Sequence, residues 1–341
     1  MAMAQSTPGR PIATTTGSRR TSLDAVLAHA WDAAEFTATD AMATTGLTRS
    51  TAIEAMQTLT RLGLLRELPN AREAGDYLKG RPARRFELRA EAGVVVGVDA
   101  GRAHLTAIVA DLRGKTLATA HTLSGLVHET EQENSPGEPE VRRRAVAEVI
   151  DEALGRARRP RSDIIALCAG VPAPVDANGA SPPHPTGFWQ RVNPDLVTLL
   201  REWSPIVRID NDASLAAVAE RAVGAAQGLD DIVVLLAGER LGAGVVVDGN
   251  VLRGAHGGAG EPVAFDHVQG VGSAHGIGYL IATWARESAG DLDPGHPIRA
   301  GLPEIDAPAV FDLARTGDEW ALGLVDRAGA MLARIVSTFG N

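Results

Sequence analysis

Two short glycine hairpins in this chain have residue types that can hold phosphate groups. The first lies in "VVVGVDAGRAHLTAIVAD", where an apolar strand runs into Asp99, Ala100 and Gly101 before a second strand begins. Glycine lets backbone N–H groups approach an anion closely, which is how phosphate loops are built. The second hairpin, in "ERLGAGVVVDGN", contains Gly242 and Gly244 about 140 residues later. This arrangement indicates a nucleotide site, although Arg102 occupies a position that normally takes a small residue.

An amide and a carboxylate open the predicted helix "NDASLAAVAE". Asn211 and Asp212 follow the apolar strand "PIVRID" directly. A carboxylate at a helix start can remove a proton from a docked hydroxyl, accept a hydrogen bond from it, or simply cap the helix. All three roles stay open on these residues alone.

The elements that must position these residues alternate between strands and helices, so the body belongs to the α/β class. Each glycine hairpin begins its own α/β unit, which is a weak internal duplication. Two such lobes facing each other would bind a ligand in the cleft between them. This plan is that of the actin-like or hexokinase-like ATPase fold.

The N-terminal part has the spacing of a helix-turn-helix. An amphipathic helix begins near Leu23, and "TATDAMATTGLTRSTAIEAMQTLTRLGLL" then predicts a short helix, a turn at Gly46 and a longer helix capped by Thr48. We expect the apolar side chains at 53, 56, 59 and 62 to face the core. The outward residues that would reach a DNA major groove are Arg49, Ser50, Thr51 and Gln57.

Two short strands, "LLREL" and "RRFEL", follow and predict a wing whose return carries Arg81, Arg84 and Arg85. Guanidinium groups this close repel one another unless an anion such as phosphate lies nearby, which favours DNA binding. The alternative is a plain three-helix unit with a hairpin that binds protein.

Charge is distributed unevenly along the chain. Residues 1–90 carry 12 Lys and Arg against 9 Asp and Glu, whereas residues 91–341 carry 21 against 33. A basic head on an acidic body is expected when only the head meets a polyanion. The sequence has no apolar run long enough for a membrane span, and its single cysteine, Cys168, suits a cytoplasmic protein and is expected to be buried.

Six blocks occurring in order identify a family resemblance: "GRPA", "VDAGR", "GVPAPVD", "DNDASLAAVAE", "LGAGVVVDGNVLRGAHGG" and "AGE". Together they resemble the ROK family of repressors and sugar kinases, from about residue 21 to the end. The resemblance implies a winged helix-turn-helix DNA-binding domain at 21–89, a first lobe at 90–210 and a second at 211–341. Both lobes would have the ribonuclease H-like fold of actin-like ATPases, and residues 1–20 would form a disordered arm.

The resemblance also implies roles for single residues. Asp212 matches the base of the family's kinases, with Asn211 beside it, and Glu261 matches a sugar-binding glutamate. These residues would converge in the cleft beside a loop whose aromatic residues, Phe188 and Trp189, offer a face for a pyranose ring.

Three departures separate this chain from the family's kinases. Both phosphate loops are altered, with Arg102 and Ala103 where the kinases have Gly-Thr, and Gly242 preceded by Arg240 and Leu241. The zinc-binding cysteines are missing from "DHVQGVGSAHG", and His267 and His275 alone make a poor metal site. The chain also stops at Asn341, where further strands and helices are expected. We therefore expect no zinc, no nucleotide cofactor and no catalysis.

The prediction is a cytoplasmic, homodimeric transcriptional regulator, of the repressor type, for carbohydrate-metabolism genes. Its partners would be operator DNA and a sugar or sugar-derivative effector, and it would not bind a membrane. One alternative is a sugar kinase with an attached DNA-binding head. A second is a scaffold whose body binds only protein.

Overall fold

A computed structural model describes residues 21–69, 83–123, 138–185, 187–238, 240–260, 271 and 275–339. Four predicted features lie outside these residues: the arm at 1–20, Arg81 with most of its loop, Glu261, and His267.

The described parts of 21–89, residues 21–69 and 83–89, form three helices and a small antiparallel sheet. The elements are α1 (Ser22–Asp32), β1 (Phe36–Thr37), α2 (Ala38–Thr45), α3 (Arg49–Arg61), β2 (Leu65–Glu67) and β3 (Arg85–Leu88). The strands lie in the order β1-β3-β2, so β3 pairs with both neighbours. The predicted helices and both predicted strands are confirmed, and β1 is an addition that periodicity did not indicate.

Local capping sets the helix boundaries in this unit. Thr37 and Asp40 form the predicted capping box, each side chain bonding the other residue's backbone N–H, and Thr48 caps α3. Gly46 ends α2 at a φ of 69°, a left-handed conformation that glycine adopts without strain. These two signals place the turn between α2 and α3 where the sequence predicts it.

The unit has its own hydrophobic core, formed around Val26, Phe36, Met56 and Leu59. Of the four predicted core positions, Met56 and Leu59 are buried, Ile53 is half-buried, and the prediction for Leu62 is wrong. Leu62 is 64% exposed because α3 ends at Arg61 and the chain turns away. The small residues Ala52 and Ala55 are buried on that face instead, and they allow α3 to pack closely.

The next unit is built on a five-stranded sheet. Its elements are β4 (Val94–Ala100), β5 (His104–Asp111), β6 (Thr116–Leu123), α4 (Glu138–Ala157), β7 (Ile164–Val171), α5 (Phe188–Val192), α6 (Leu196–Arg201) and β8 (Ile206–Asn211). The strand order is β6-β5-β4-β7-β8, antiparallel across the first three and parallel from β4 to β8. The carboxyl ends of β4, β7 and β8 therefore meet at one edge.

A second hairpin unit and four α-helices complete the described chain. The elements are α7 (Asp212–Val223), β9 (Ile232–Ala237), β10 (Leu241–Val247), β11 (Asn250–Val251), α8 (Ile277–Ser288), α9 (Ala307–Arg315) and α10 (Glu319–Phe339). The strands pair antiparallel in the order β11-β10-β9. Asp248 and Gly249 make the tight turn that the sequence predicts, with φ angles of 49° and 75°.

Two further observations bear on the expectations from composition. Among the described residues, no helix has the length and apolar character needed to cross a bilayer. Cys168 is half-buried in β7, and burial raises the pKa of its thiol to about 11, so it stays protonated and unreactive.

Candidate functional site

Asp212 lies where β8 passes into α7, at the carboxyl edge of the five-stranded sheet. Asn211 is the N-cap of this helix, and its side-chain oxygen accepts the backbone N–H of Ser214 at 2.9 Å. The carboxylate of Asp212 accepts the neighbouring backbone N–H of Ala213, at 2.7 Å. Capping is therefore done by Asn211, which argues against a purely structural role for Asp212.

The surroundings of Asp212 make it a weak acid. Burial raises the pKa of this carboxyl to about 6, the N–H of Ala213 opposes that rise, and the nearby Asp99 carboxylate adds to it. A carboxyl with this pKa exchanges protons near neutral pH, and in its ionised form it accepts hydroxyl hydrogen bonds. The site is thus suited either to binding a polyol or to activating one of its hydroxyls.

Asp99 and Asp212 come together because β4 and β8 both end at this edge. Although the Asp99 side chain is open to solvent, the surrounding protein desolvates it enough to raise its pKa, and Arg142 partly opposes that rise. The Asp99 carboxylate therefore makes Asp212 harder to ionise, because two like charges close together oppose each other.

Arg142 on α4 is a site residue that the sequence reading missed. Its side chain is fully buried beneath the first hairpin, and one terminal nitrogen donates to the carbonyls of Ala100 at 2.5 Å and Gly101 at 2.9 Å. Burial lowers the pKa of Arg142 to about 10, and Asp99 counteracts the shift. Within the described residues its Nε and Nη1 have no hydrogen-bond partner.

The hydrogen bonds from Arg142 also orient the hairpin backbone. A trans peptide directs its C=O and N–H to opposite sides, so the N–H groups of Gly101 and Arg102 point away from Arg142.

The periodicity of α4 contained the signal that Arg142 is buried. Position 142 precedes the buried Val146 by four residues, on the same helix face as Val149 and Ile150.

Gly242 and Gly244 lie inside β10, where close packing explains their lack of a side chain. A Cβ atom on Gly244 would stand 2.1 Å from the carbonyl oxygen of Ala213, and one on Gly242 would stand 3.3 Å from the Cβ of Ala213. The second hairpin is thereby pressed against the start of α7, beside Asp212. These glycines need no phosphate to account for them.

Phe188 and Trp189 are partly buried at the start of α5 and pack against the core of the five-stranded sheet. The ring of His184 lies 4.6 Å from that of Trp189 between centroids, and the Arg240 guanidinium is 5.8 Å from the centre of the Phe188 ring. Arg240 belongs to the second hairpin, so this contact joins the two lobes. The availability of either ring for sugar stacking stays a prediction.

A buried acid ties the loop after β11 to the end of β8. Asp210 is 3% exposed and accepts hydrogen bonds from Arg208 at 2.7 Å and from Arg253 at 3.0 Å. The loop that follows Arg253 also abuts the first lobe, because a Cβ on Gly257 would stand 2.1 Å from the carbonyl of Val175. This loop leads to Glu261, whose predicted sugar contact lies outside the described residues.

The zinc expectation also stays a prediction. The described residues contain no group of three or more His, Cys, Asp or Glu side chains that could hold a metal ion. His275 stacks on Tyr279, with ring centroids 4.2 Å apart, while His267 lies beyond the described ranges.

Three of the four predicted DNA-reading residues on α3 are exposed to solvent. Arg49, Ser50 and Gln57 are exposed on α3, and Thr51 is half-buried. Hydroxyls of Ser50 and Thr51 lie 3.1 and 2.9 Å from that of Thr48, so they take part in the cap. Gln57 and Arg84 line the same shallow groove. This side of α3 therefore lies next to the residue that precedes β3.

The argument from repelling wing arginines is wrong for the two that are described. Arg84 forms an ion pair with Glu67, and Arg85 bonds Glu35 at 3.0 and 3.1 Å. The Arg84 hydrogen bond holds the pKa of Glu67 below its ordinary value. Because carboxylates neutralise both guanidiniums, no phosphate is required to explain them.

Comparison with known proteins identifies the class to which this fold and cleft belong. The model of the ROK family matches residues 95–270, just over half of the chain. The protein belongs to the ROK family, and the predicted resemblance is confirmed.

Relatives include both regulators and kinases. A xylose repressor from Bacillus spizizenii is 26% identical over 218 residues, covering 64% of this chain and 53% of the repressor. A glucokinase from Thermotoga maritima is 31% identical over 261 residues, covering 72% of this chain and 77% of the glucokinase. The chain spans about half the length of the xylose repressors that it matches.

A solved ROK family transcriptional regulator, a homolog of the E. coli MLC protein, superposes with a TM-score of 0.61. The superposition covers 89% of this chain and 76% of the regulator, at 20% sequence identity. At that identity the match establishes the fold alone: a mixed α/β chain with the sugar-kinase-like ROK body.

Proposed function

We propose that this protein is a cytoplasmic, homodimeric transcriptional regulator, of the repressor type, for carbohydrate-metabolism genes. The observation that carries the proposal is the separate unit at 21–89, which precedes the ROK match and has its own core. Its α2–turn–α3 arrangement and three-stranded sheet support the assignment of a winged helix-turn-helix. A kinase body needs no such unit, and the xylose repressors among the relatives support this choice.

In this proposal α3 enters the DNA major groove, and the body controls whether α3 binds there. Arg49 projects from the exposed first turn of α3, where recognition helices meet base edges. The effector is a sugar or sugar derivative bound in the cleft, where Asp212 and Asn211 would accept and donate hydroxyl hydrogen bonds together with Glu261.

The test is selection of DNA by the full chain from a random duplex library, followed by fluorescence anisotropy on the enriched duplex. Arg49→Ala is expected to lower the affinity for that duplex by about 5- to 150-fold. This range corresponds to about 1–3 kcal/mol of binding free energy for the loss of one base contact. Arg156→Ala, an exposed arginine on α4 in the body, is the matched control and should change nothing. Equal affinity for enriched and random duplexes would refute sequence-specific regulation.

One observation favours a sugar kinase as second candidate. Asp212, with its pKa raised to about 6, is suited to act as a base, and a glucokinase is among the relatives. Against this, Arg102 stands in the first hairpin where the kinases have glycine. ADP release from ATP with D-glucose or D-xylose at an enzyme-like rate would establish the kinase.

A further inference from the structure

An arginine of the body contacts the end of the first helix of the head. Arg113 lies in the turn between β5 and β6, and its Nη1 donates to the carbonyl of Trp31 at 2.8 Å. Its Nη2 donates to the carbonyls of Ala33 at 2.8 Å and Ala30 at 3.4 Å. These carbonyls belong to the end of α1, where backbone acceptors lack helical partners and carry partial negative charge.

The turn presents Arg113 in a fixed position. Asp111 accepts the backbone N–H groups of Arg113 at 2.9 Å and Lys115 at 3.0 Å. Gly114 adopts a φ of 81°, and Leu112 is buried and donates its N–H to Ala90 at 3.0 Å. Because the turn is held on both sides, the guanidinium is preorganised to meet α1.

The same strand that leads to this turn starts at the candidate sugar cleft. β5 runs from His104, next to the hairpin whose carbonyls Arg142 holds, to Asp111 at the Arg113 turn. Its eight residues span roughly 27 Å at about 3.4 Å per residue. β5 lies between β4 and β6 and pairs with both, with one register irregularity against β6 between Val109 and Ala110, so it forms a continuous backbone connection from the hairpin to the turn.

We propose that Arg113 is the positioning residue that couples the cleft to the DNA-binding head, by clamping the end of α1 to the β5–β6 turn. The proposal rests on the proposed function, in which the cleft controls operator binding. A ligand that moves the 99–102 hairpin would shift β5, and Arg113 would carry that shift to α1 and the helices packed on it. Coupling of this kind is a free-energy difference between two head positions.

Hydrogen–deuterium exchange of the full chain tests the clamp without DNA or sugar, so its result is independent of the operator-binding test. Arg113→Ala is expected to accelerate exchange on the order of tenfold in the last turn of α1 and severalfold at residues 101–105. Arg113→Lys should restore slow exchange only in part, because a compact ammonium does not reproduce the planar guanidinium that bonds Trp31 and Ala33 through separate nitrogens. Arg156→Ala is the matched control, since Arg156 donates to the Thr119 carbonyl on β6 but not to the head.

Three results would overturn the proposal. Unchanged hydrogen exchange in α1 would show that Arg113 does not stabilise the end of this helix. Faster exchange in α1 with no change at 101–105 would show that the clamp does not communicate with the cleft. Acceleration that extends to α10, or that Arg156→Ala reproduces, would reveal general destabilisation and not coupling.

Discussion

Replacing Asp212 with asparagine should stabilise the fold at neutral and alkaline pH. The folded pKa of Asp212 is about 6, against 3.8 for an ordinary aspartate, because the folded protein desolvates the carboxylate. The native state therefore binds the proton more tightly than the unfolded chain does. Ionisation opposes folding, and this penalty is absent below pH 3.8, grows up to pH 6 and is complete above it.

The magnitude follows from the difference between a folded pKa of about 6 and the ordinary pKa of 3.8. At 1.36 kcal/mol per unit, the free energy of unfolding lost to ionisation is about 3 kcal/mol at pH 8 and about 1 kcal/mol at pH 4.5. Asparagine keeps the side-chain oxygen that accepts the Ala213 N–H, so the substitution removes the charge with little change in packing.

Urea unfolding of the wild type and of Asp212→Asn at pH 8 and pH 4.5 measures this effect. We expect the variant to be more stable by about 3 kcal/mol at pH 8, with the advantage shrinking by about 2 kcal/mol at pH 4.5. Asp326→Asn, at an exposed position on α10, controls for the loss of one negative charge. A variant that is less stable than wild type at pH 8, or an advantage independent of pH, would refute the desolvated environment of Asp212.

Three further outcomes are expected. Asp212→Asn and Glu261→Gln should each lose the response to a sugar that shifts wild-type operator binding in an anisotropy titration, because both carboxylates are assigned to its hydroxyls; a normal response in either would contradict that assignment. Arg84→Ala with Arg85→Ala tests whether DNA phosphates replace Glu67 and Glu35 as partners of these arginines: replacement predicts weaker binding to all duplexes and a salt dependence flatter by roughly one unit per lost phosphate contact, whereas unchanged affinity would mean that the arginines keep their ion pairs. Elemental analysis of the purified protein should find no stoichiometric zinc, and one zinc per chain would reinstate histidine ligands in "DHVQGVGSAHG".

Features that depend on a few neighbouring residues were predictable. The capping box at Thr37, the left-handed turn at Gly46 and the hairpin turn at Asp248 are each specified by residues within one turn of the chain. Because these signals are local, they set the helix and strand boundaries without any distant contact. The ordered motifs then sufficed to identify the ROK family, which residues 95–270 confirm.

The side-chain environments were not predictable in the same way. Leu62 has the right spacing for the core of α3 yet is exposed, because the direction of the chain after Arg61 depends on how β2 pairs with β3. The sequence alone suggests that Arg84 and Arg85 are unpaired cations. In the folded protein they form ion pairs with Glu67 and Glu35.

Contacts between distant segments decided the rest of the candidate site. The pKa of Asp212 depends on burial and on Asp99, which is more than a hundred positions away in the chain, and the buried position of Arg142 depends on how α4 packs under the first hairpin. Arg113 reaches the end of α1 across about 80 residues of sequence, and no local pattern records that approach. Desolvation and hydrogen bonding depend on which atoms surround a group in three dimensions, so these properties exist only once the sheets and helices have packed.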